Sequence, residues 1–229
     1  SEGHYLLSVD YSQIELRVLS FLADESKMIE AFNEDHDIHE ETARDIFGVE
    51  AVTSNQRREA KSVNFGIIYG MSDYGLSQQL NISIQDAHAY ITRYHEVYPN
   101  ISKYMNAQVE KCLKDGYVET YFKRRRYIHE IHDTNRAVKE FGKRAAMNAP
   151  IQGTAADIIK LAMVAVDAYL EDKQTKLLLQ VHDELVFDVP EAELETVQKD
   201  IIDIMENVVS DWPIKLEVSS TVGKNWMES

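Results

Sequence analysis

The sequence predicts an α+β fold, in which an antiparallel sheet is backed by helices and a long, mostly helical stretch lies between the strands in the chain. Short β-prone runs occur at residues 5–9, 177–189 and 214–222, near the two ends of the chain. Between them, apolar residues recur at helical spacing over most of residues 14–113. A strongly apolar stretch at 154–170 is typical of a core helix that lies under a sheet.

The chain has 229 residues, near the upper end for a single domain, and its 44% apolar and 28% charged residues are ordinary for a soluble globular protein. It has no apolar run that approaches a membrane span and no basic-then-apolar leader at its N-terminus. One cysteine, Cys112, excludes an internal disulfide and offers no metal-binding pair. We therefore expect a reducing, cytoplasmic setting.

The net charge of −15 argues against nucleic-acid binding, because phosphate backbones attract cations. The charge is unevenly distributed, however, since acids crowd residues 24–50 and 183–211. A local basic track can bind a polyanion even on an acidic protein, so the total charge does not exclude DNA. The cations cluster at Arg57-Arg58-Lys61, Lys123-Arg124-Arg125-Arg126 and Lys139-Lys143-Arg144.

The first predicted strand stops at Asp10, and a helical pattern begins at Ile14. An Asp where a strand turns into a helix is either a capping residue or a metal ligand, and the residues alone leave both interpretations open. Residues 24–48 are acidic and helical in period, and they include His39, which by itself would be an ordinary surface residue.

A helix predicted over residues 57–70 carries cations near its start and rings near its end. A polar connection at 50–56 precedes it and offers Ser54 or Asn55 as its cap. Because residues four apart lie on one helix face, the cations and rings form one stripe. Such a face suits an anion joined to a flat apolar group, as in a nucleoside triphosphate, although a plain amphipathic helix shows the same pattern. The stripe consists of Arg57, Lys61, Phe65 and Tyr69.

Turn residues at 70–75 end this helix, and two further helices are predicted over 82–97 and 101–113. Residues 117–122 alternate like a strand and lead into the four cations at 123–126, which form either a solvated loop or a track for template phosphates. A basic helix follows at 135–148. Pro150 and Gly153 predict a break before the apolar helix that begins at Thr154.

Two β-prone runs within 177–189 flank a polar pair, which predicts a tight hairpin with His182 and Asp183 at its tip. An amphipathic acidic helix is predicted at 191–209, followed by an edge strand at 214–222 and by Trp226 in the C-terminal tail.

Three motifs resemble those of family A DNA polymerases of the bacterial DNA polymerase I type. One is R-R-x-x-K-x-x-N-F-G-x-x-Y-G at 57–70, which is similar to the nucleotide-binding helix of the fingers. The others are Asp10-Tyr11-Ser12-Gln13-Ile14-Glu15-Leu16-Arg17 and Val181-His182-Asp183-Glu184, which resemble the two catalytic motifs. The resemblance covers nearly the whole chain in the order of the family.

The resemblance implies a palm at residues 1–19 and 141–229 with a mostly helical fingers subdomain inserted at 20–140. It implies template-directed DNA synthesis from dNTP on primer-template DNA with two Mg²⁺ ions, by a protein that we expect to be a monomer with no membrane partner. We also expect a C-terminal palm and fingers portion that lacks a thumb and the start of the palm, and that extends primers weakly alone.

Roles follow from the matched positions. Lys61 is the expected proton donor to pyrophosphate, and Glu15 is expected to exclude a ribose 2′-hydroxyl. The implied catalytic residues are Asp10, Asp183, Glu184 and Lys61, with Asp10, Asp183 and the Tyr11 carbonyl as metal ligands. The implied nucleotide-binding residues are Gln13, Glu15, His39, Arg57, Lys61, Phe65 and Tyr69. The implied DNA-binding residues are Arg17, Tyr74, Arg144, Asn148, Gln152 and His182.

Two other interpretations are a metal-dependent phosphoesterase that uses the same two acids and a non-catalytic, acidic helical interaction module. The first leaves the stripe on residues 57–69 unexplained. The second predicts that neither magnesium nor nucleotide changes thermal stability.

Overall fold

The computed structural model describes residues 3–226, which divide into two compact units. The sheet unit combines the described residues up to Ile14 with those from Ala155 onward, and the helical unit is Glu15–Thr154. In chain order the helical unit is therefore an insertion within the sheet unit. The predicted α+β class is confirmed, while the functional boundaries at 19/20 and 140/141 stay a prediction.

Most helices follow one another directly along the chain, and the strands of the large sheet lie near its two ends. The strands are β1 His4–Tyr11, β2 Tyr117–Glu119, β3 Arg125–Tyr127, β4 Lys176–Val181, β5 Glu184–Pro190 and β6 Val218–Gly223. The helices are α1 Ile14–Leu22, α2 Ser26–Asn33, α3 Ile38–Phe47, α4 Ser54–Ile68, α5 Asp73–Leu80, α6 Ile84–Val97, α7 Pro99–Asp115, α8 Arg136–Tyr169 and α9 Leu194–Glu206. A short 3₁₀-helix spans His129–His132.

The sheet unit is built on four antiparallel strands in the order β4-β5-β1-β6. Alternation decides which face each side chain takes, because successive strand residues point to opposite faces. Leu7 and Val9 of β1 lie beside Phe187 and Leu185 of β5, and all four are fully buried. Ser8 and Asp10 lie on the opposite face of β1, so the register that forms the core also aligns these two polar side chains.

Helix α9 covers the apolar side of the sheet unit with a buried stripe at Val197, Ile201 and Met205. Spacings of four residues place these side chains on one helix face. The hydroxyl of Tyr11 donates a hydrogen bond of 2.7 Å to the Met205 carbonyl, which ties the end of β1 to this helix.

The helical unit contains a smaller core where α7, the β2–β3 hairpin and the first half of α8 meet. Cys112, Val118 and Ile131 are among its fully or nearly fully buried members. Two helix ends follow the sequence signals. Ser83 caps α6 by accepting from the Asp86 backbone N–H, and Gly116 ends α7 in the left-handed conformation at φ 78°.

The predicted break at Pro150 and Gly153 is wrong, because α8 runs without interruption through both residues. Pro150 removes one backbone donor, but its neighbours Ala149 and Ile151 are buried, and this packing holds the helix together. Gly153 does not break the helix but lets Thr120 and Arg124 approach its backbone closely. A Cβ there would lie 2.6 Å from the Thr120 Cγ2, and its carbonyl accepts a 3.0 Å bond from Arg124.

Other predicted boundaries also differ. The strand expected at 117–122 ends at Glu119, and Arg125 and Arg126 lie in its partner strand β3 rather than in a loop. Thr53, rather than Ser54 or Asn55, caps α4, because Thr53 and Gln56 exchange side-chain and backbone hydrogen bonds in a capping box. The edge strand β6 begins at Val218, four residues later than expected.

By length and composition alone, α8 is apolar enough to cross a membrane, and half of its most apolar window is buried inside the protein. The core helix of a soluble protein meets the same criteria, so this helix is weak evidence for a membrane span.

Gly142 of α8 offers a test of this packing. A Cβ at Gly142 would lie 2.5 Å from the Ile131 backbone nitrogen, which cannot rotate away. We expect Gly142→Ala to lower the free energy of unfolding by about 1–3 kcal/mol, measured by denaturant titration. Gly66→Ala is the matched control, since its Cβ would meet Met71 at an ordinary 3.5 Å and gains helix propensity. Equal stability of the two variants would contradict the close approach.

Candidate active site

The strand register brings three acids to one end of the sheet unit. Asp10 of β1 lies directly opposite Glu184, the first residue of β5. The Tyr11 backbone N–H donates a 3.2 Å bond to the Asp183 carbonyl, so the hairpin tip is bonded to the end of β1. His182, the first tip residue, adopts the left-handed conformation at φ 55°, which the turn between paired strands requires. Asp10 and Asp183 are thus neighbours despite their separation in sequence.

These carboxylates line one polar depression together with Ser8 of β1 and with Ser219 and Thr221 of the neighbouring strand β6. Burial has the largest effect on the pKa of Asp10, and together with the negative charges of Asp183 and Glu184 it raises this pKa from 3.8 to about 6. A crowded set of hard oxygen donors, with one acid held partly protonated, fits a divalent cation, which would relieve the repulsion.

Within residues 3–226 the structure forms no group of three or more His, Cys, Asp or Glu side chains arranged to hold a metal ion. A pair of carboxylates with a backbone carbonyl is nevertheless a donor set of the size Mg²⁺ takes from proteins, since that ion keeps most of its water or takes phosphate oxygens. This small donor set therefore suits Mg²⁺, which is seldom bound by a closed cage of protein ligands.

Helix α4 of the helical unit carries the predicted stripe. The rings of Phe65 and Tyr69 lie nearly parallel, with 17° between their planes and 6.4 Å between centroids. The Lys61 Nζ lies 6.0 Å from the centroid of Phe65, and Arg57 is exposed one turn earlier. The four side chains share one face, as the spacing predicts.

Two acids outside the stripe contact it. The Tyr69 hydroxyl donates a 3.1 Å bond to the Glu15 carboxylate, which joins two of the predicted nucleotide-binding residues. Arg57 donates a 2.7 Å bond to Asp37, the residue that also caps α3 through the His39 and Glu40 backbone N–H groups. Burial favours the protonated form of Asp37, but the Arg57 and backbone hydrogen bonds outweigh it, so its pKa is lowered.

His39 is buried, with 1% of its surface exposed. Its Nδ1 lies 3.0 Å from the Asn64 side-chain nitrogen, which also bonds Thr42, while its Nε2 has no hydrogen-bond partner among the described residues. The pKa of His39 is lowered to about 4, mainly by burial, because the opposing effect of the Asp37 charge is offset by the nearby cations Arg57 and Lys61. The ring is therefore neutral at pH 7.

The predicted DNA-binding residues differ from one another in burial and in the contacts that they make. Arg144 of α8 packs against the turn after α4, where its Cγ lies 3.0 Å from the position of a Gly70 Cβ. Arg17 is 4% exposed and lies over the Phe32 ring at 4.5 Å, a burial that weighs against contact with DNA. The Asn148 Oδ1 is buried without a partner in the described part of the chain. Tyr74, Gln152 and His182 are exposed.

Gln13, predicted to bind nucleotide, lies just after β1 in the left-handed conformation at φ 56°. Its Oε1 is buried and accepts no hydrogen bond from residues 3–226. A strained backbone with an unsatisfied amide is a feature found at binding sites, although it assigns no ligand.

Sequence reasoning missed Asp37, Asn64, Ser8 and Trp226 as parts of these clusters. Ser8 precedes Asp10 by two residues on a predicted strand, so period-two alternation would have placed both on one face. Asn64 follows Lys61 by three residues within the quoted motif. No local signal connects Trp226 with Glu184, to which its indole N–H donates at 3.3 Å.

An antiparallel four-stranded sheet joined in the chain to a largely helical unit is the fold class of a DNA polymerase POL domain. The chain belongs to DNA polymerase family A, whose family model matches residues 1–228.

Similar proteins agree with this assignment. DNA polymerase I of Bacillus subtilis is 48% identical over all of this chain and 26% of its own length, and that of Pseudomonas aeruginosa is 45% identical over all of this chain and 25% of its own. The chain thus spans about a quarter of the length of these relatives. The POL domain of Pol1 from M. smegmatis, solved with DNA primer-template and dNTP, has a TM-score of 0.93 at 42% identity. The structural match covers 99% of this chain and 41% of the M. smegmatis chain.

The neutral, buried state of His39 predicts a pH effect on stability. Between pH 6.5 and about 4 the unfolded chain binds a proton at this position while the folded chain does not. The stability associated with the neutral His39 is therefore fully present above pH 6.5 and is lost as the pH falls toward 4. Over this range the free energy of unfolding changes with a limiting slope of about 1.4 kcal/mol per pH unit. Denaturant titrations from pH 4 to 7 should show a shallower slope for His39→Gln. Parallel curves for both proteins would show that His39 is not buried as a neutral ring.

Proposed function

We propose that this chain carries the active site for template-directed DNA synthesis in replication and repair. The reaction transfers a deoxynucleotide from dNTP to a primer 3′ end. The primer hydroxyl attacks the α-phosphorus, and the bond to pyrophosphate breaks. The observation that carries the proposal is the β1–β5 register, which brings Asp10 and Asp183 together at one end of the sheet. Membership in family A supports it.

In the sheet unit, Asp10, Asp183 and the Tyr11 carbonyl would hold two Mg²⁺ ions. When bound, these ions supply positive charge that stabilises the attacking and leaving oxygens. The chain itself keeps the two carboxylates side by side through the strand register and the bond from Tyr11 to the Asp183 carbonyl. Glu184 acts as an auxiliary acid.

In the helical unit, Arg57 and Lys61 would bind the triphosphate, with Lys61 donating a proton to the departing pyrophosphate. Asp37 holds Arg57 in place before substrate binds, and phosphate oxygens would replace that carboxylate. The His39 Nε2, which has no hydrogen-bond partner within residues 3–226, would gain a phosphate oxygen as acceptor, which removes the cost of a buried, unsatisfied donor.

The rings of α4 serve the sugar and the base. Phe65 would stack near the incoming sugar, and Tyr69 would pack against the new base pair. Glu15, held by the Tyr69 hydroxyl at 3.1 Å, would fill the space that a ribose 2′-hydroxyl needs. Gln13 completes the proposed nucleotide contacts.

The proposed contacts to primer and template use side chains of several elements. These are Arg144, Asn148 and Gln152 of α8, His182 of the hairpin tip, Tyr74 of α5 and the largely buried Arg17 of α1. Function as a monomer in the cytoplasm remains part of the proposal.

The experiment that tests the function places these 229 residues in the matching region of the Bacillus subtilis relative and measures template-directed primer extension. Binding of a fluorescent dNTP to the 229-residue chain alone tests the helical unit separately. Extension that follows the template supports the proposal, and a folded chimera that hydrolyses phosphate esters without extending primers would favour a phosphoesterase.

Asp183→Asn in this chimera removes one charge from the acid pair and keeps the side-chain shape. We expect extension in Mg²⁺ to fall about 10³-fold, because losing about 4 kcal/mol of charge stabilisation has that effect. Asp188→Asn, on the adjoining strand β5, is the matched control and should retain activity. Near-normal rates for Asp183→Asn would remove this residue from the catalytic pair.

Sugar selectivity provides a second test, read as the ratio of kcat/KM for dNTP and rNTP. Glu15→Ala should admit ribonucleotides, while Glu15→Gln keeps the bulk and should preserve most discrimination. Tyr69→Phe keeps the ring but releases Glu15, so it should give an intermediate ratio. An unchanged ratio in Glu15→Ala would show that another group excludes the 2′-hydroxyl.

A further inference from the structure

Two neutral donors converge on one oxygen of Glu184. The Ser8 hydroxyl and the Trp226 indole N–H both donate to its Oε1, the indole at 3.3 Å. Ser8 is 5% exposed on the central strand, whereas Trp226 is half exposed and follows the edge strand β6. Residues distant in sequence therefore meet on one carboxylate.

The register shows the direction in which Glu184 is held. Ser8 lies opposite Val186 and Asp10 lies opposite Glu184, so Ser8 is farther from the hairpin tip than Asp10. Asp183 lies at that tip. A bond from Ser8 to Glu184 therefore draws the carboxylate along the strand, away from the end where Asp10 and Asp183 are neighbours.

The chemistry of the donors matters as much as their position. A cation would hold a carboxylate strongly but would cancel charge in a cluster that needs it. A hydroxyl and an indole fix the side chain and leave its charge intact. Holding the third acid aside also limits the repulsion that Asp10 experiences from its neighbours.

On this geometry, and resting on the proposed function, we propose that Ser8 and Trp226 are positioning residues that keep Glu184 out of the metal-ligand set. The site then binds divalent ions through two carboxylates and leaves the remaining positions to phosphate oxygens and water. Released from its donors, Glu184 would become a third carboxylate ligand and would bind the ion more tightly.

The test uses Mn²⁺ binding to the full 229-residue chain, with free Mn²⁺ measured by electron paramagnetic resonance and no DNA or nucleotide present. Ser8→Ala and Trp226→Phe each remove one donor and keep most of the side-chain volume. We expect Kd for Mn²⁺ to fall roughly 5- to 10-fold in the double variant, because added carboxylate ligands raise affinity. Adding Glu184→Gln should abolish this gain.

Ser219→Ala is the matched control, since Ser219 lines the same depression, lies opposite Asp10 on β6 and should leave the Kd for Mn²⁺ unchanged. Trp212→Phe controls for loss of the other tryptophan, and circular dichroism checks folding of each variant. Unchanged or weaker binding in the folded double variant, or a gain that persists with Glu184→Gln, overturns the proposal.

An Asp183→Asn arm separates this inference from the function on which it rests. If Asp183→Asn weakens Mn²⁺ binding but the Ser8 and Trp226 variants do not change it, only the positioning role fails. If Asp183→Asn leaves Mn²⁺ binding unchanged, the metal site of the proposed function fails as well.

Discussion

The pairing of β1 with β5 is the interaction on which the candidate chemistry depends. Its register is fixed by the core, because Leu7 and Val9 are buried only when they face the same side as Leu185 and Phe187. A slip of one residue in the register would turn Asp10 toward the core and would turn Leu7 and Val9 away from it. Hydrophobic alternation thus holds the acids together, and their burial and mutual repulsion both raise the pKa of Asp10.

Both units contain polar groups that the fold leaves incompletely satisfied. The His39 Nε2 and the Gln13 Oε1 are buried without hydrogen bonds from the described residues, and Asp10 is crowded by like charges. Each costs free energy in the folded chain, because desolvation is not repaid by a partner. Such costs are sustained where a ligand removes them, so these positions agree with the proposed binding roles better than with purely structural ones.

Sequence reasoning succeeded where one local period decides the structure. The hairpin tip at His182 and Asp183 and the shared face of α4 follow directly from alternation and from i, i+4 spacing. It failed at Pro150, where burial of the surrounding helix outweighed an unfavourable residue. It could not find the bond between Trp226 and Glu184, because that contact exists only after β6 has joined the sheet beside β1.

The two units hold their charged groups in different ways, and the difference agrees with the roles proposed for these groups. Arg57 is paired with a carboxylate of opposite charge, Asp37, which a phosphate can replace at little cost because one anion succeeds another. Glu184 is held instead by two neutral donors, the Ser8 hydroxyl and the Trp226 indole N–H. A pair of opposite charges suits a group that must be released at each turnover, whereas neutral donors suit a charge that must stay in place while ions and substrates come and go.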